Sequence, residues 1–399
     1  MSRKSAFQAD IIIVGGGPSG LSLATSLGAA GLETIVLERA VPPAKNTRFD
    51  GRTLALSFRS AQVLKASGVW PLIEPSACPI LDIRIADQNS RAYLDFHHKD
   101  IGNPFGWIVE HHLFRAALEK RVHPMKAVRV VAPAIVRGMD FDSALARTTL
   151  EDGQVFSAPL VIGADGRNSA CREAAGIETY GWDYGQTAIA CVIRHSLPHQ
   201  NIAVEHFHPG GPFATLPMTK QRTSIVWTEK TKTAEALMEM NREKFTKILQ
   251  TKVEDWLGDI ELLGEPFVHP VSLQHAKTYT APRLALIGDA AHSIHPIAGQ
   301  GFNLGMGDIE ALTDVLAKAV RLGLDLGSPD VLRRYEKRRK AENGNMVLAT
   351  DGLVRLFSNA ILPMQAARRF GLGAVQNMPA LKRFFMRTAM GIGKEKRSA

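Results

Sequence analysis

A glycine-rich turn near the start of the chain holds the first residues whose types and spacing point to chemistry. Four apolar residues, 11–14, lead directly into the turn 15–20, which reads GGGPSG. Glycines in such a turn let the backbone approach a pyrophosphate, and the following helix presents free N–H groups and its positive dipole end. Glu38 comes 18 residues after Gly20, where an acid at the end of a second strand accepts ribose hydroxyls. The spacing predicts a dinucleotide site.

Two later segments decide which dinucleotide is bound. Asp165 follows the apolar run 160–162, and Asp289 follows the apolar run 284–287. An acid at position 289 can hold a hydroxyl of a ribityl chain, and only a flavin has such a chain. The segment 299–305, GQGFNLG, then opens a helix whose N–H groups would lie beside the flavin atoms where negative charge gathers on reduction. Together the three segments predict FAD.

Two histidines flank the predicted flavin. His292 and His295 are candidates for relaying a proton from a substrate, and the alternative is that they hydrogen-bond the loop and shape it. The adjacent pairs at 97–98 and 111–112 do not predict a metal site, because successive side chains of a strand point to opposite faces. We therefore expect no metal and no dedicated catalytic triad.

The three segments resemble those of the class A flavoprotein monooxygenases, the aromatic hydroxylases related to p-hydroxybenzoate hydroxylase. More narrowly, residues 292–305 with Asp308 are similar to the signature of the ubiquinone-biosynthesis hydroxylases. Residues 50–57 are similar to a second segment of that subfamily, whose Arg, Arg52 here, contacts the FAD pyrophosphate. The resemblance covers essentially the full chain.

Other segments match this subfamily less closely. Residues 106–110 and 335–339 are similar in a looser way. Gly307 stands where the subfamily commonly has an Arg, and His111 stands where an Asn is frequent. These two departures leave the flavin site intact and bear on the substrate pocket.

The resemblance and the three segments together define the predicted cofactor site. Its members are Gly15, Gly17, Pro18, Ser19, Gly20, Glu38, Arg39, Arg52, Asp165, Asp289, Pro296, Gly299, Gly301, Phe302 and Asn303. For the substrate we expect an apolar lining that includes Phe213, Leu216 and Pro217, although these residues would serve equally well as plain core.

The resemblance implies an FAD-dependent monooxygenase that hydroxylates a polyprenylated phenol in ubiquinone biosynthesis, of the 2-polyprenyl-6-methoxyphenol hydroxylase type. Oxygen transfer would proceed through a flavin C4a-hydroperoxide, with O2 as co-substrate. NAD(P)H or a protein electron donor would supply electrons, since the sequence has no second complete G-x-G-x-x-G motif. The alternatives are a class A hydroxylase of a soluble aromatic compound, a flavin oxidase or dehydrogenase, and a binding module without redox activity.

The composition bounds the number of domains and the cellular compartment of the protein. The chain has 399 residues, 45% of them hydrophobic, which is enough for two domains. Its three cysteines lie far apart, which argues against a disulfide framework and indicates a reducing compartment. We see no signal peptide and no apolar run long enough to span a membrane, so we expect a cytoplasmic protein.

Positive charge is concentrated at the C-terminus. After Gln365 there are eight Lys or Arg and one Glu, which account for +7 of the net charge of +9. The basic residues are Arg368, Arg369, Lys382, Arg383, Arg387, Lys394, Lys396 and Arg397, and they lie beside Phe370, Leu381, Phe384, Phe385 and Met386. This tail predicts binding to the surface of the inner membrane or to other ubiquinone-biosynthesis proteins, not to nucleic acid. A solvated basic helix is the alternative.

The pattern of apolar runs predicts an α/β fold: a Rossmann-like FAD-binding domain with an inserted β-sheet substrate domain and a helical C-terminus. The expected parts are 1–75, 107–179 and 276–330 for the FAD-binding domain, 76–106 and 180–275 for the substrate domain, and 331–399 for the C-terminal helical region with its basic tail. Within them we expect an antiparallel meander at 128–156, one helix near 234–249 and another at 331–343.

Overall fold

The apolar runs of the sequence fold as strands, and helices connect them. The structure, a computed structural model, describes residues 8–41, 49–87, 93–296, 299–357 and 375–392. The strands are β1 (Ile11–Val14), β2 (Thr34–Leu37), β3 (Thr53–Ser57), β4 (Cys78–Ile80), β5 (Asp82–Asp87), β6 (Tyr93–His97), β7 (Gly106–Glu110), β8 (Val128–Val131), β9 (Val136–Phe141), β10 (Ala146–Leu150), β11 (Val155–Ala158), β12 (Leu160–Gly163), β13 (Thr179–His195), β14 (Ile202–His208), β15 (Gly211–Met218), β16 (Arg222–Lys230), β17 (Ile260–Ala276), β18 (Thr280–Ala281), β19 (Leu284–Leu286) and β20 (His292–Ser293). The helices are α1 (Pro18–Ala29), α2 (Phe58–Ala66), α3 (Trp70–Ile73), α4 (His111–Val122), α5 (Ala170–Ala174), α6 (Thr231–Met238), α7 (Arg242–Val253), α8 (Gln300–Arg321), α9 (Pro329–Phe357) and α10 (Pro379–Ala389).

A six-stranded sheet in the order β18-β19-β12-β1-β2-β8 forms the first layer. All of its pairs are parallel except β18–β19. Every residue of β1, β2 and β12 is buried. Strands covered on both faces read as continuous apolar runs, which is why these segments show no alternation. The carboxyl ends of adjacent strands β19, β12, β1 and β2 lie along one edge, where open α/β sheets bind their ligands.

An eight-stranded sheet in the order β20-β17-β13-β16-β15-β14-β5-β6 forms the second layer. Its pairs are antiparallel except β14–β5. On one face, Phe213 and Trp227 belong to a core cluster with Phe245 of α7. On the other face, Leu216 and Met218 belong to a cluster that also takes residues from β3, α2 and α10. This second face is therefore turned toward the nucleotide-binding half.

The observed architecture confirms the predicted fold class. The parallel sheet, the separate large sheet and the C-terminal helices are all present. Strands β5 and β6 and strands β13 to β17, which are far apart in sequence, share the eight-stranded sheet. The domain boundaries themselves stay a prediction.

Three local predictions differ from the structure. The single helix near 234–249 is wrong: Asn241 accepts the N–H of Lys244 and caps a second helix, so α6 and α7 are separate. The meander consists of β9, β10 and β11 only, because β8 pairs in parallel with β2. The helix expected to end at residue 343 continues as α9 to Phe357.

No helix in the described ranges is both long and apolar enough to cross a bilayer.

Candidate functional site

The first glycine turn joins β1 to α1 and leaves the start of α1 open. Gly15 has φ +106°, and a Cβ atom on Gly20 would lie 1.8 Å from the Gly15 carbonyl oxygen. Both positions therefore need glycine. No side chain caps α1, which begins at Pro18 after Gly17, and nothing lies within 4 Å of a Cβ built on Gly17. The uncapped N–H groups and the open space suit a pyrophosphate.

Glu38, at the end of β2, is held beside this turn. Its Oε2 accepts the N–H of Gly16 at 2.6 Å, and its Oε1 accepts the N–H of Ala40 at 2.8 Å. These bonds aim the carboxylate at the edge where the sugar of a dinucleotide would lie. The neighbouring Arg39 is exposed.

Arg52 lies just before β3 and is half-exposed. It donates to the Asp50 carboxylate at 2.6 and 2.8 Å. Partial burial would raise the pKa of Asp50, but hydrogen bonds and the charge of Arg52 lower it. An exposed pair of this kind contributes little to stability, which leaves the guanidinium available to a phosphate. His111, one of the departures noted above, packs nearby, and burial together with Arg52 lowers the pKa of its ring.

Asp165 organises the second segment from within. Its Oδ1 accepts the Ser169 hydroxyl at 2.6 Å, and its Oδ2 accepts the N–H of Cys171 at 3.1 Å. Arg172 is buried and donates to the carbonyl oxygen of Ala290 at 3.0 Å. The second segment is thereby tied to the third. The geometry gives Asp165 a loop-building role, and a contact with the cofactor stays a prediction.

Asp289 follows β19 and Gly288, which has φ +56°. Its side chain is exposed, yet the surrounding protein is dense enough to raise the pKa of its carboxyl, while His292 and Arg167 act in the opposite direction. The carboxyl is therefore open to solvent at the carboxyl end of β19, with protein close around it. This is the setting in which a ribityl hydroxyl would be met.

The start of α8 closes on the start of α1. Gly299, with φ +61°, precedes α8, and no side chain caps this helix. A Cβ on Gly305 would lie 3.3 Å from the Cα of Gly288, and a Cβ on Gly288 would lie 3.1 Å from the Ser19 hydroxyl. Nothing lies within 4 Å of a Cβ on Gly301. Two uncapped helix N-termini therefore converge around the third segment, with open space beside each.

Asn303 fastens α8 to the β3–α2 connection. Its side-chain oxygen accepts the N–H of Ser57 at 2.8 Å and the hydroxyl of Ser60 at 2.7 Å. Phe302 packs edge-on against Phe114 with ring centroids 5.5 Å apart. Both predicted cofactor residues therefore position the helix whose N–H groups face the groove.

His292 belongs to a buried polar network centred on Asp308. Asp308 accepts His292 Nε2 at 2.6 Å, the N–H of Gly288 at 3.0 Å, Arg339 Nε at 2.8 Å and Asn343 Nδ2 at 3.2 Å. Burial alone would raise the pKa of Asp308, but His292 and Arg339 hold it at about 2. Since an ionised carboxylate only accepts, Nε2 of His292 carries a proton. Its Nδ1 is buried and has no hydrogen-bond partner among the residues that the structure describes.

His295 is fully buried and packs edge-on against Tyr184, with ring centroids 5.2 Å apart. Its Nε2 lies 3.4 Å from Oε1 of Gln186. Burial lowers the pKa of His295 to about 4, so the ring is neutral at pH 7. Pro296 follows directly, and residues 297 and 298 lie outside the described residues. A proton-relay role for either histidine stays a prediction.

The three predicted lining residues do not share one face of the large sheet. Phe213 packs against Trp227 at 6.0 Å, on the face covered by α6 and α7. Leu216 and Met218 lie on the opposite face, toward the nucleotide-binding half. Because side chains alternate along a strand, Pro217 shares the face of Phe213. Of the three, only Leu216 faces the nucleotide-binding half, where it lies in one cluster with Met218, and a substrate lining there stays a prediction.

Two contacts join the halves beside this lining. Arg222 of β16 donates to Glu110 of β7 at 2.6 Å, with side chains only 15% and 9% exposed. The Thr53 and Ser224 hydroxyls lie 2.8 Å apart. An ion pair with so little exposure holds its geometry because either charge left alone would be strongly unfavourable.

The residues present fit FAD. Two uncapped helix N-termini, an anchored Glu38, an available Arg52 and an open groove at Asp289 supply donors and acceptors for each part of that molecule. In the described part of the chain, no three His, Cys, Asp or Glu side chains gather as metal ligands would. The sequence alone did not predict the contact between Asp308 and Arg339, although both residues stand in segments that carry the resemblance.

The comparison with known families agrees with this site. The profile of the FAD binding domain family matches residues 8–350. Among solved structures, p-nitrophenol 4-monooxygenase PnpA of Pseudomonas putida superposes with a TM-score of 0.79 at 18% identity, covering 98% of this chain and 99% of that one. HpxO of Klebsiella pneumoniae, solved with FAD, gives a TM-score of 0.75 at 17% identity, over 97% of this chain and 100% of that one. At identities this low, the structural likeness establishes the shared fold alone.

Similarity in sequence is closer to another set of proteins. Ubiquinone hydroxylase UbiL of Rhodospirillum rubrum is 43% identical over 384 residues, 96% of this chain and 90% of that protein. The 3-demethoxyubiquinol 3-hydroxylase of Escherichia coli is 34% identical, over 96% of this chain and 98% of that protein. The human ubiquinone biosynthesis monooxygenase COQ6 is 31% identical, over 94% and 91%. With a flavin cradle in place and similarity along nearly its full length, the chain belongs to the FAD binding domain family and, within it, to the ubiquinone-hydroxylase group of FAD-dependent aromatic monooxygenases.

Proposed function

We propose that this protein hydroxylates the aromatic ring of a polyprenylated phenol in ubiquinone biosynthesis. The observation that carries the proposal is similarity to ubiquinone hydroxylases over 94–96% of the chain. The relatives' names refer to ubiquinone and its precursors, and the apolar face of the large sheet opposite the flavin groove suits a lipophilic ring.

Reduced FAD and O2 supply the oxygen-insertion chemistry, and the protein supplies binding, orientation and exclusion of water. The N-terminus of α1 and Arg52 bind the pyrophosphate, and Glu38 binds the ribose. The N-terminus of α8 stabilises negative charge on the ring system. Leu216 and Met218 keep water from the face where the substrate lies.

The electron donor in this proposal is NAD(P)H that binds transiently, or a protein donor. A second complete glycine-rich nucleotide motif is missing from the sequence. The described cysteines are free and buried, which leaves no dithiol to pass electrons.

For the membrane role that we propose for the C-terminus, α10 offers one surface. On α10, Phe384 and Phe385 are 55% and 43% exposed, beside Lys382, Arg383 and Arg387, while Met386 is buried. Exposed aromatic and basic residues on one short helix suit an anionic bilayer, where a prenylated substrate resides. The other basic residues of the tail, Arg368, Arg369, Lys394, Lys396 and Arg397, lie outside the described residues. We place the protein in the cytoplasm at the inner membrane surface, with other ubiquinone-biosynthesis proteins as partners.

The quinone profile of a strain lacking the gene tests this function. Loss of ubiquinone, with accumulation of a polyprenylphenol short of one hydroxyl, is the expected result, and complementation should restore the profile. A normal profile in a strain with no other flavin hydroxylase of this group would contradict the proposal and favour a soluble aromatic substrate.

A separate experiment tests the membrane surface. Removing everything after Gln365 would also remove Met386 and Met390, whose side chains are buried in the large-sheet cluster. The sharper change is Phe384→Ser with Phe385→Ser, because both side chains are exposed. We expect the double variant to keep FAD but to sediment less with vesicles containing phosphatidylglycerol. Unchanged sedimentation would refute this surface.

A further inference from the structure

An acidic residue lies in the apolar face that is turned toward the nucleotide-binding half. Glu205 is the fourth residue of β14 and alternates with Ala203 and Phe207, both of which belong to the cluster containing Leu216 and Met218. Because residues two apart in a strand share a face, the Glu205 side chain points into that cluster.

The strands on either side of Glu205 present apolar residues. Glu205 pairs with Ile85 of β5 and Ala214 of β15. Ile85 belongs to the same cluster. Charged and titratable neighbours lie elsewhere: Arg84 and His206 occupy the alternate positions, on the other face of the sheet. From the helix packed on this face, Lys382 makes no ion pair with Glu205.

Glu205 has no polar partner in the described part of the chain. None of its side-chain atoms forms a hydrogen bond or an ion pair there, and burial alone raises the pKa of its carboxyl to about 7. Glu205 is only half-buried by accessible surface, although protein stands close around its carboxyl.

Such a carboxyl is unfavourable for folding. Burying a charge without a partner costs free energy, and partners of some kind normally compensate it. The other enclosed acids of this chain show the usual solution: Asp308 contacts Arg339, Glu110 contacts Arg222, and Asp95 contacts Arg84. The exception at Glu205 is explained if its partner arrives with the substrate.

We infer that the Glu205 carboxylate binds the phenolic hydroxyl of the substrate and accepts its proton during hydroxylation. This inference rests on the proposed function and names a catalytic residue for it. An electron pair of the ring forms the new C–O bond with one atom of O2. The O–O bond breaks, and the other oxygen atom would leave as water with the two electrons that bound reduced FAD would supply. The phenolic O–H bond breaks as its electron pair enters the ring system, and the proton passes to Glu205. Loss of the hydrogen from the attacked carbon and return of a proton to the oxygen restore the aromatic ring.

Glu205 suits this role chemically. A general base is most effective when its pKa lies near the working pH, and burial gives this carboxyl a pKa of about 7. The contribution of such a base is on the order of 100-fold or more in rate. Asp351 also contacts a residue packed on this cluster, but it already accepts the Tyr184 hydroxyl at 3.1 Å.

The test uses Glu205→Gln in the full-length, FAD-loaded protein. Glutamine keeps the shape but neither titrates nor accepts a proton at neutral pH. Glu261→Gln is the matched control, because Glu261 is exposed on β17 and pairs only with Arg194 at the surface. Two readouts are required, one of binding and one of turnover.

The binding readout compares 2-farnesylphenol with its O-methyl ether, which cannot donate. We expect the native protein and Glu261→Gln to bind the phenol at least about tenfold more tightly, as a hydrogen bond to a charged group would give. Glu205→Gln should lose most of this preference. Turnover should fall roughly 100-fold in Glu205→Gln, and the rise of activity as the pH passes about 7 should disappear with it.

The outcomes separate the two claims. If Glu205→Gln keeps both the preference for the phenol and the native pH profile, Glu205 is not the phenol-binding base, and the proposed substrate still stands. If the native protein binds and hydroxylates the phenol with no preference over the ether, the role of Glu205 is again contradicted. A native protein that binds neither compound contradicts the substrate class and the role of Glu205 together.

Discussion

An enclosed carboxyl has opposite surroundings in two regions of this molecule: the flavin side, around the cofactor cradle, and the proposed substrate side, the apolar face of the large sheet that contains Leu216 and Met218. On the flavin side, Asp308 accepts four hydrogen bonds and has a pKa held at about 2. On the substrate side, Glu205 accepts none from the described residues and has a pKa raised to about 7. The first arrangement satisfies the carboxylate from within the protein and fixes α8 against α9 and against the turn at Gly288. The second is complete only when a polar group enters from outside.

The largest expected effect comes from breaking the complete network. Asp308→Leu leaves Arg339 buried with only the partly exposed Glu342 as a counter-charge and should destabilise the protein by about 3–5 kcal/mol. Thermal unfolding of the FAD-free protein measures this. The double variant Asp308→Leu with Arg339→Met should recover part of the loss, since no buried charge then remains. A single variant as stable as the native protein would show that the network is not structural.

A second change tests the space beside Arg339. A Cβ on Gly307 would lie 2.7 Å from the Arg339 guanidinium, so a side chain at this position displaces it. Gly307→Arg, the residue common in the resembling subfamily, should cost roughly 1–3 kcal/mol of stability through overpacking. Gly344→Arg in α9, where nothing lies within 4 Å, is the control and should change stability little. Equal effects at both positions would contradict this packing.

Replacing Glu205 should stabilise the protein, whereas replacing Asp308 should destabilise it. The shift of the Glu205 pKa from 4.5 to about 7 means that the folded state loses stability as the pH rises through this window. At pH 8 the free energy of unfolding of Glu205→Gln should therefore exceed that of the native protein by roughly 1–2 kcal/mol, after allowance for partial exposure. The variant should accordingly unfold at a higher temperature. At pH 4 the two should be equal. A variant less stable at pH 8 would mean that Glu205 has a structural role.

The smallest expected effect comes from a change that weakens FAD binding without destabilising the protein. Gly301 is near the start of α8 and faces open space, so Gly301→Ala should leave the FAD-free protein as stable or slightly more stable. The added methyl group narrows the cradle, and we expect FAD affinity to fall about tenfold, a loss of about 1.4 kcal/mol. Flavin fluorescence measures the affinity. Gly344→Ala should change neither quantity by more than a few tenths of a kcal/mol.

The flavin side was readable from sequence because its residues are local. The turn at 15–20 sits between one strand and one helix, so a short pattern shows both the bend and the helix N-terminus. Glu38 follows from the length of a β-α-β unit. Asp308 and Arg339 are 31 positions apart, and only the packing of α8 on α9 shows that they form an ion pair.

The substrate side was less readable because a strand pattern does not say which face meets the cofactor. Phe213, Leu216 and Pro217 are all apolar, and the sequence gives no reason to separate them. The register of β15 against β16, with Phe213 opposite Trp227, places Phe213 under α6 and α7. Glu205 was overlooked for the same reason: in a strand with alternating residues, an acid normally faces solvent.

The most direct test of the account is transfer of labelled oxygen. The FAD-loaded protein is incubated with a short-chain polyprenylphenol in vesicles, NAD(P)H and ¹⁸O2. The mass of the product is then measured by mass spectrometry. We predict one ¹⁸O atom in a new ring hydroxyl and about one NAD(P)H consumed per product. Consumption of NAD(P)H with release of hydrogen peroxide and no labelled product, in a preparation that binds the phenol, would contradict the central claim.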